Sequence, residues 1–202
     1  MPSRTPRRTR RRAPGLLELR AYHEAGHAVA AHLRGFALRR VSVARRGRYG
    51  GSCEYEFDLG PRRDRARRKA RRRDRGGRGP SALRRAARAA AAVALSGSVA
   101  QDELTLSRGY LALDPATGRP FPLFAAGSGE DEKVARWFAD RLYRGSEARR
   151  SFLQRMRTST QRLLTRPGPW AAVSALARRL LSRRTIGGPE AEAIIRRTLG
   201  TR

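Results

Sequence analysis

Leu16-Leu17-Glu18-Leu19-Arg20-Ala21-Tyr22-His23-Glu24-Ala25-Gly26-His27-Ala28-Val29-Ala30-Ala31-His32-Leu33-Arg34-Gly35 is the stretch on which the fold turns. Leu19, Tyr22, Ala25, Val29 and Leu33 recur at helical spacing, and Gly35 stands where a helix ends in a left-handed residue. The spacing predicts one helix over 16–34. Within it, His23-Glu24-Ala25-Gly26-His27 matches H-E-x-x-H. Residues i and i+4 project from one helical face, so two imidazoles can hold one zinc ion at ~2.0–2.1 Å each. Glu24 then sits beside the metal, placed to take a proton from the attacking water. Gly26 is expected to leave room where metal and substrate come close. A chain of this composition contains the motif by chance about 0.002 times, so coincidence is set aside.

Working outward, Val41 and Val43 alternate with Ser42 and Ala44, while Cys53, Tyr55 and Phe57 alternate with Glu54, Glu56 and Asp58. Gly47, Gly50 and Gly51 lie between, which predicts a short antiparallel pair. Residues 61–80 are too basic and glycine-rich to pack, and read as an exposed linker or charged helix inserted into the domain. Ser81 is expected to cap an alanine-rich core helix reaching about Ser96. Residues 104–127 read as a loop or weak hairpin, and Gly127-Ser128-Gly129 opens a helix through about Tyr143. Three more helices follow, broken at Pro167-Gly168-Pro169 and Gly187-Gly188-Pro189. The expected class is α+β: mainly α with a small antiparallel sheet, a zincin-type metal helix followed by a hairpin and a helical bundle.

Two histidines leave a zinc ion short of a third protein ligand. His32 lies about 180° around the helix from His23, and Cys53 is on a strand, so a carboxylate is expected. In the helix after Gly129, the stripe containing Asp131 holds Val134, Ala135, Phe138 and Leu142, all apolar. Glu130 and Glu132 fall on stripes shared with Arg141 and Arg136. A carboxylate turned toward a core is costly unless a cation neutralises it, which singles out Asp131. The competing role is a capping box, with Ser128 as N-cap and Asp131 three residues on.

Length and composition bound the rest. At 202 residues the chain holds one domain of about 15–202, preceded by a basic, acid-free arm at 1–14 that is expected to be disordered. No stretch approaches the ~18 uncharged apolar residues of a membrane span. The single cysteine excludes an internal disulfide framework. The segment near Leu16 is broken by Glu18 and Arg20, so no secretory signal is read and a cytoplasmic location is expected. The net charge of +29 comes from 46 basic residues, of which only Lys69 and Lys133 are lysines. Either arginine-favouring codons or a polyanion-binding surface produces that skew. In the second case, non-specific nucleic acid would bind through 1–14 and 61–80.

Ala21-Tyr22-His23-Glu24-Ala25-Gly26-His27-Ala28-Val29-Ala30-Ala31-His32-Leu33, followed by Val41-Ser42-Val43 and Gly50-Gly51, resembles the peptidase domain of the FtsH-type membrane AAA proteases. Leu95-Ser96-Gly97-Ser98-Val99-Ala100-Gln101-Asp102 is loosely similar to that family's Leu-Gly-Gly-Arg-x-Ala-Glu-Glu segment. Ser128-Gly129-Glu130-Asp131 resembles its Thr/Ser-Gly-Ala-x-Asn/Asp-Asp run, and Arg184-Thr185-Ile186-Gly187-Gly188 its closing turn. The resemblance implies zinc held by His23, His27 and Asp131, with Glu24 as base and polypeptide as substrate. The family's ATPase module is missing: neither lysine precedes Ser or Thr, so there is no G-x-x-x-x-G-K-[ST] loop. An ATP-independent endopeptidase for unfolded chains is therefore expected, or one served by a separate AAA ATPase, with the oligomeric state left open. Val41, Ser42, Val43 and Ala44 are the expected sheet edge for an extended substrate. The alternatives are an ImmA/IrrE-like regulatory metallopeptidase, in which a further histidine follows the motif as His32 does here, and an arginine-rich binder of nucleic acid or an acidic partner.

Overall fold

The computed structural model describes residues 13–44, 50–56, 80–113, 120–122 and 129–200. Apart from their last residues, the basic arm expected at 1–14 and the insertion expected at 61–80 lie outside the described residues, as does Ser128. In chain order the elements are α1 (Leu16–Leu33), β1 (Leu38–Ser42), β2 (Ser52–Tyr55), α2 (Pro80–Ser107), β3 (Leu111–Leu113), β4 (Pro120–Pro122), α3 (Gly129–Leu142), α4 (Ser146–Leu164), α5 (Pro167–Arg183), β5 (Thr185–Gly187) and α6 (Gly188–Leu199). The class is the expected one, mainly helical with a small antiparallel sheet.

Helix α1 lies at the centre, packed against α2 and α5, and the reason is its small side chains. Ala21, Ala25, Ala28, Ala30 and Ala31 are buried and let the neighbouring helices approach closely. Alanines bury little area, at ~0.8 kcal/mol per methylene-sized group. Most of the driving force therefore comes from larger buried residues around α1, such as Val29, Val41, Leu176, Leu180 and Ile195, each contributing ~1.5–3 kcal/mol on burial. A second cluster joins α2, α3 and α4 through Ala91, Leu95, Ala135, Ala139 and Phe152. The Tyr22 ring packs on Trp170 of α5, with centroids 5.7 Å apart, which fixes how α1 is rolled about its own axis. Gly35 has φ +85°, ending the helix as the sequence predicts.

Helix α2 runs eleven residues beyond the expected stop at Ser96, to Ser107. Val99, Ala100 and Leu104 continue its buried stripe, so Ser96-Gly97-Ser98 is an interior stretch of small residues rather than a terminator. The region expected to be loop or weak hairpin begins with the end of α2 and continues into β3 and β4, which pair antiparallel.

The main sheet has the order β2-β1-β5. Strand β1 pairs antiparallel with β2 (Val41 opposite Cys53, Ser42 opposite Ser52) and, on its other side, antiparallel with β5 (Val41 opposite Ile186, Ser42 opposite Thr185). Beyond β1, the Val43 amide donates to the Arg184 carbonyl at 2.8 Å, and the Ala44 amide to Ser42 Oγ at 3.2 Å. This corrects the expectation that Val41, Ser42, Val43 and Ala44 form a substrate-binding edge. Both sides of Val41 and Ser42 are taken within the sheet, and the outer edge near α1 belongs to β2. The strand that fills the other side, β5, has three residues and therefore no alternation from which it could be read.

Candidate metal centre

His23, Glu24 and His27 project from the middle of α1, and Asp131 from the first turn of α3. The four meet in a cleft of about 540 Å³, walled by Leu16, Leu19 and Arg20 of α1, Gly50, Gly51, Ser52, Cys53 and Tyr55 around β2, and Val134 of α3. His23 Nε2 is 3.0 Å from His27 Nε2, and Asp131 Oδ2 lies 2.9 Å from the first and 3.1 Å from the second. Three electron-rich atoms in mutual contact repel unless protons or a cation lie among them. Without a cation the balance is held by a proton. Burial alone would lower the His27 pKa, but the Asp131 carboxylate in contact with it more than offsets this and holds it at about 9. The same contacts hold the Asp131 carboxyl well below the ordinary carboxylate range, although burial opposes them.

The donor set fits a divalent metal ion. Donors ~2.0–2.1 Å from one tetrahedral ion stand ~3.3 Å apart, close to the separations found here. Among the described residues, His23, His27 and Asp131 form the group able to share an ion. His27 Nδ1–H donates to the Val93 carbonyl at 2.8 Å, with Ser96 Oγ 3.3 Å away. That bond places the proton on Nδ1 and leaves Nε2 as the free donor atom, the usual outer support of a metal-bound imidazole. Two imidazoles and one carboxylate suit zinc better than magnesium or calcium, which take oxygen donors.

Glu24 is buried, at 6% exposure, and burial raises its carboxyl pKa, with His27 and His23 pulling the other way. Gly51 makes space for it: a Cβ there would lie 2.5 Å from Glu24 Oε1. The acids flanking Asp131 are engaged elsewhere, Glu130 with Lys133 at 2.7 Å and Glu132 with Arg136 at 3.2 Å. Asp102 pairs with Arg157. Cys53 lines the cleft, where burial pushes its thiol pKa up, and it is not one of the three grouped donors. Nor is His32. Val134, expected on an apolar core stripe with Asp131, is 47% exposed at the cleft rim.

Gly26 does not face the metal group as expected. A Cβ on it would lie 2.6 Å from the Ser96 carbonyl oxygen and 2.7 Å from Ala100 Cβ, so it marks where α1 crosses α2. The small residue beneath the imidazoles is Gly97 of α2. A Cβ there would lie 2.5 Å from His27 Nε2 and 2.6 Å from His23 Nε2. Sequence reading passed over that role, although Gly97 falls on the second glycine of the segment resembling Leu-Gly-Gly-Arg. Nothing in the sequence marks the Val93 carbonyl. No helix among the described residues is long and apolar enough to cross a membrane. No protein-family model matches the chain, and no curated protein matches it either.

Proposed function

We propose that the protein is a zinc-dependent, ATP-independent endopeptidase acting on unfolded or flexible polypeptide, built like the peptidase domain of FtsH-type proteases. The observation that carries this reading is the convergence of His23 Nε2, His27 Nε2 and Asp131 Oδ2 beside a buried Glu24 in an open cleft. His23, His27 and Asp131 would hold the ion. Bound there, zinc would polarise the scissile carbonyl and make water acidic enough to be deprotonated near neutral pH. Glu24 is the base that accepts the water proton and returns it to the leaving amine, and its burial brings its pKa closer to that task.

An extended substrate is held by the outer edge of β2 rather than by β1. Ser52, Cys53 and Tyr55 of β2 line the same cleft as Glu24, so main-chain pairing there would lay a peptide across the reacting groups. Only an extended chain can pair in this way, and a compact substrate would first need unfolding. The cytoplasmic location and a separate AAA ATPase partner belong to this same reading.

Casein cleavage tests it. The purified protein is expected to cleave casein without ATP, to lose that activity on treatment with a zinc chelator, and to regain it on adding zinc back. Cleavage that survives complete removal of metal contradicts the proposal.

A further inference from the structure

A second concavity, an open groove of about 990 Å³, runs along α4 and past the C-terminal end of α1. Its α4 lining recurs every three or four residues, a single helical stripe of about 16 Å from Ser151 to Arg162 at ~1.5 Å per residue. The polar groups presented there include Arg34, Arg155, Thr158, Ser159, Arg162 and Arg166, and no carboxylate is among the described residues lining the groove. Elsewhere on the folded body arginines are commonly matched by acids, as in Arg149–Asp140 and Arg179–Glu190. Codon preference alone would scatter arginines without segregating them from acids. Arg34 Nε is buried and meets no hydrogen-bond acceptor among the described residues.

We infer that this groove binds the phosphate backbone of duplex nucleic acid without regard to sequence. Arginine forks and short hydroxyl side chains are the groups that contact phosphate oxygens. No aromatic ring is among the described residues lining the groove, which removes the stacking platform that single-strand binders use. A straight row of donors on a rigid helix matches the regular charge of a duplex, ~1.7 Å of axis per phosphate, better than the irregular carboxylates of an acidic polypeptide. The described lining of the groove includes no residue of 1–14 or 61–80, and the inference does not depend on the metal centre.

The test measures affinity of the full chain for a short random-sequence duplex by fluorescence anisotropy across a salt series. Wild type is compared with the triple variant Arg155→Gln, Arg162→Gln, Arg166→Gln, and with a control of equal charge, Arg84→Gln, Arg178→Gln, Arg197→Gln. All six side chains are exposed, and circular dichroism checks that both variants fold. The groove variant is expected to lower the slope of log affinity against log salt by ~3, about one per lost phosphate contact, while the control lowers it by less than ~1. Equal losses in the two triples, or none in either, overturn the assignment. So does displacement of duplex from wild type by polyglutamate as effectively as by unlabelled duplex, which would make the partner an acidic polypeptide.

Discussion

Glu24→Gln is expected to reduce peptide-bond hydrolysis by ~100- to 10,000-fold, the range that a positioned general base contributes, while zinc content and fold stay as in wild type. The substitution keeps the size of the side chain and removes its ability to accept a proton. Gln also fits beside Gly51, where the space left by the missing Cβ now holds the Glu24 carboxyl. Burial of a charged carboxyl is unfavourable and burial of an amide less so, so stability is expected to hold or rise slightly. Hydrolysis is read with casein and metal content by atomic emission on the same preparation. Equal cleavage by variant and wild type would remove Glu24 from the chemistry and the peptidase reading with it.

Gly97→Ala is expected to have a comparable effect through a different link, the geometry of the donors. Its Cβ would lie within 2.6 Å of both Nε2 atoms, well inside van der Waals contact, so imidazoles or helix must move. The helix has little freedom, because Gly26 already lies against the Ser96 carbonyl and Ala100. The rings are therefore displaced, and zinc affinity is expected to fall by at least the ~10- to 100-fold that disturbing a site's outer shell costs. Ala in place of Gly favours a helix interior by ~1 kcal/mol, while overpacking costs ~1–3 kcal/mol, so the protein should stay folded with modest destabilisation. Gly168→Ala is the control. Its Cβ would meet only Leu199 Cδ2 at 3.5 Å, an ordinary contact, and zinc binding should not change. Wild-type zinc affinity in Gly97→Ala would contradict the packing of the imidazoles against α2.

These two residues also mark how far the sequence could be read. Glu24 was legible because the chemical spacing and the helical period coincide in the same eleven residues, from Leu19 to Val29. Asp131 was reachable by phase, since Glu130 and Glu132 share their stripes of the helix with arginines while the stripe of Asp131 is apolar. The capping role also proposed for it involves Ser128, outside the described residues, whereas the Asp131 carboxylate turns to the two histidines. Gly97 was not legible as a site residue, because Ser-Gly-Ser inside an alanine run has the composition of a helix stop. Only the imidazoles on another helix explain why small residues stand there. The position of β1 in its sheet was hidden for a different reason. Its second partner, Thr185–Gly187, lies more than 140 residues downstream, and local alternation carries no information about such a pairing.

The zinc content of wild type and of Asp131→Asn, with affinity measured by competition against a chromogenic chelator, tests the three-donor site most directly. An amide side chain still accepts a capping hydrogen bond, and Asn ranks beside Asp at helix N-termini, so the fold should survive. It does not carry the charge that helps neutralise a divalent ion. The expected result is one zinc ion per wild-type chain and a folded Asp131→Asn protein with zinc affinity and casein cleavage both sharply reduced, while Glu130→Gln retains both. Stoichiometric zinc of unchanged affinity in Asp131→Asn, with activity preserved, would contradict the site built from His23, His27 and Asp131.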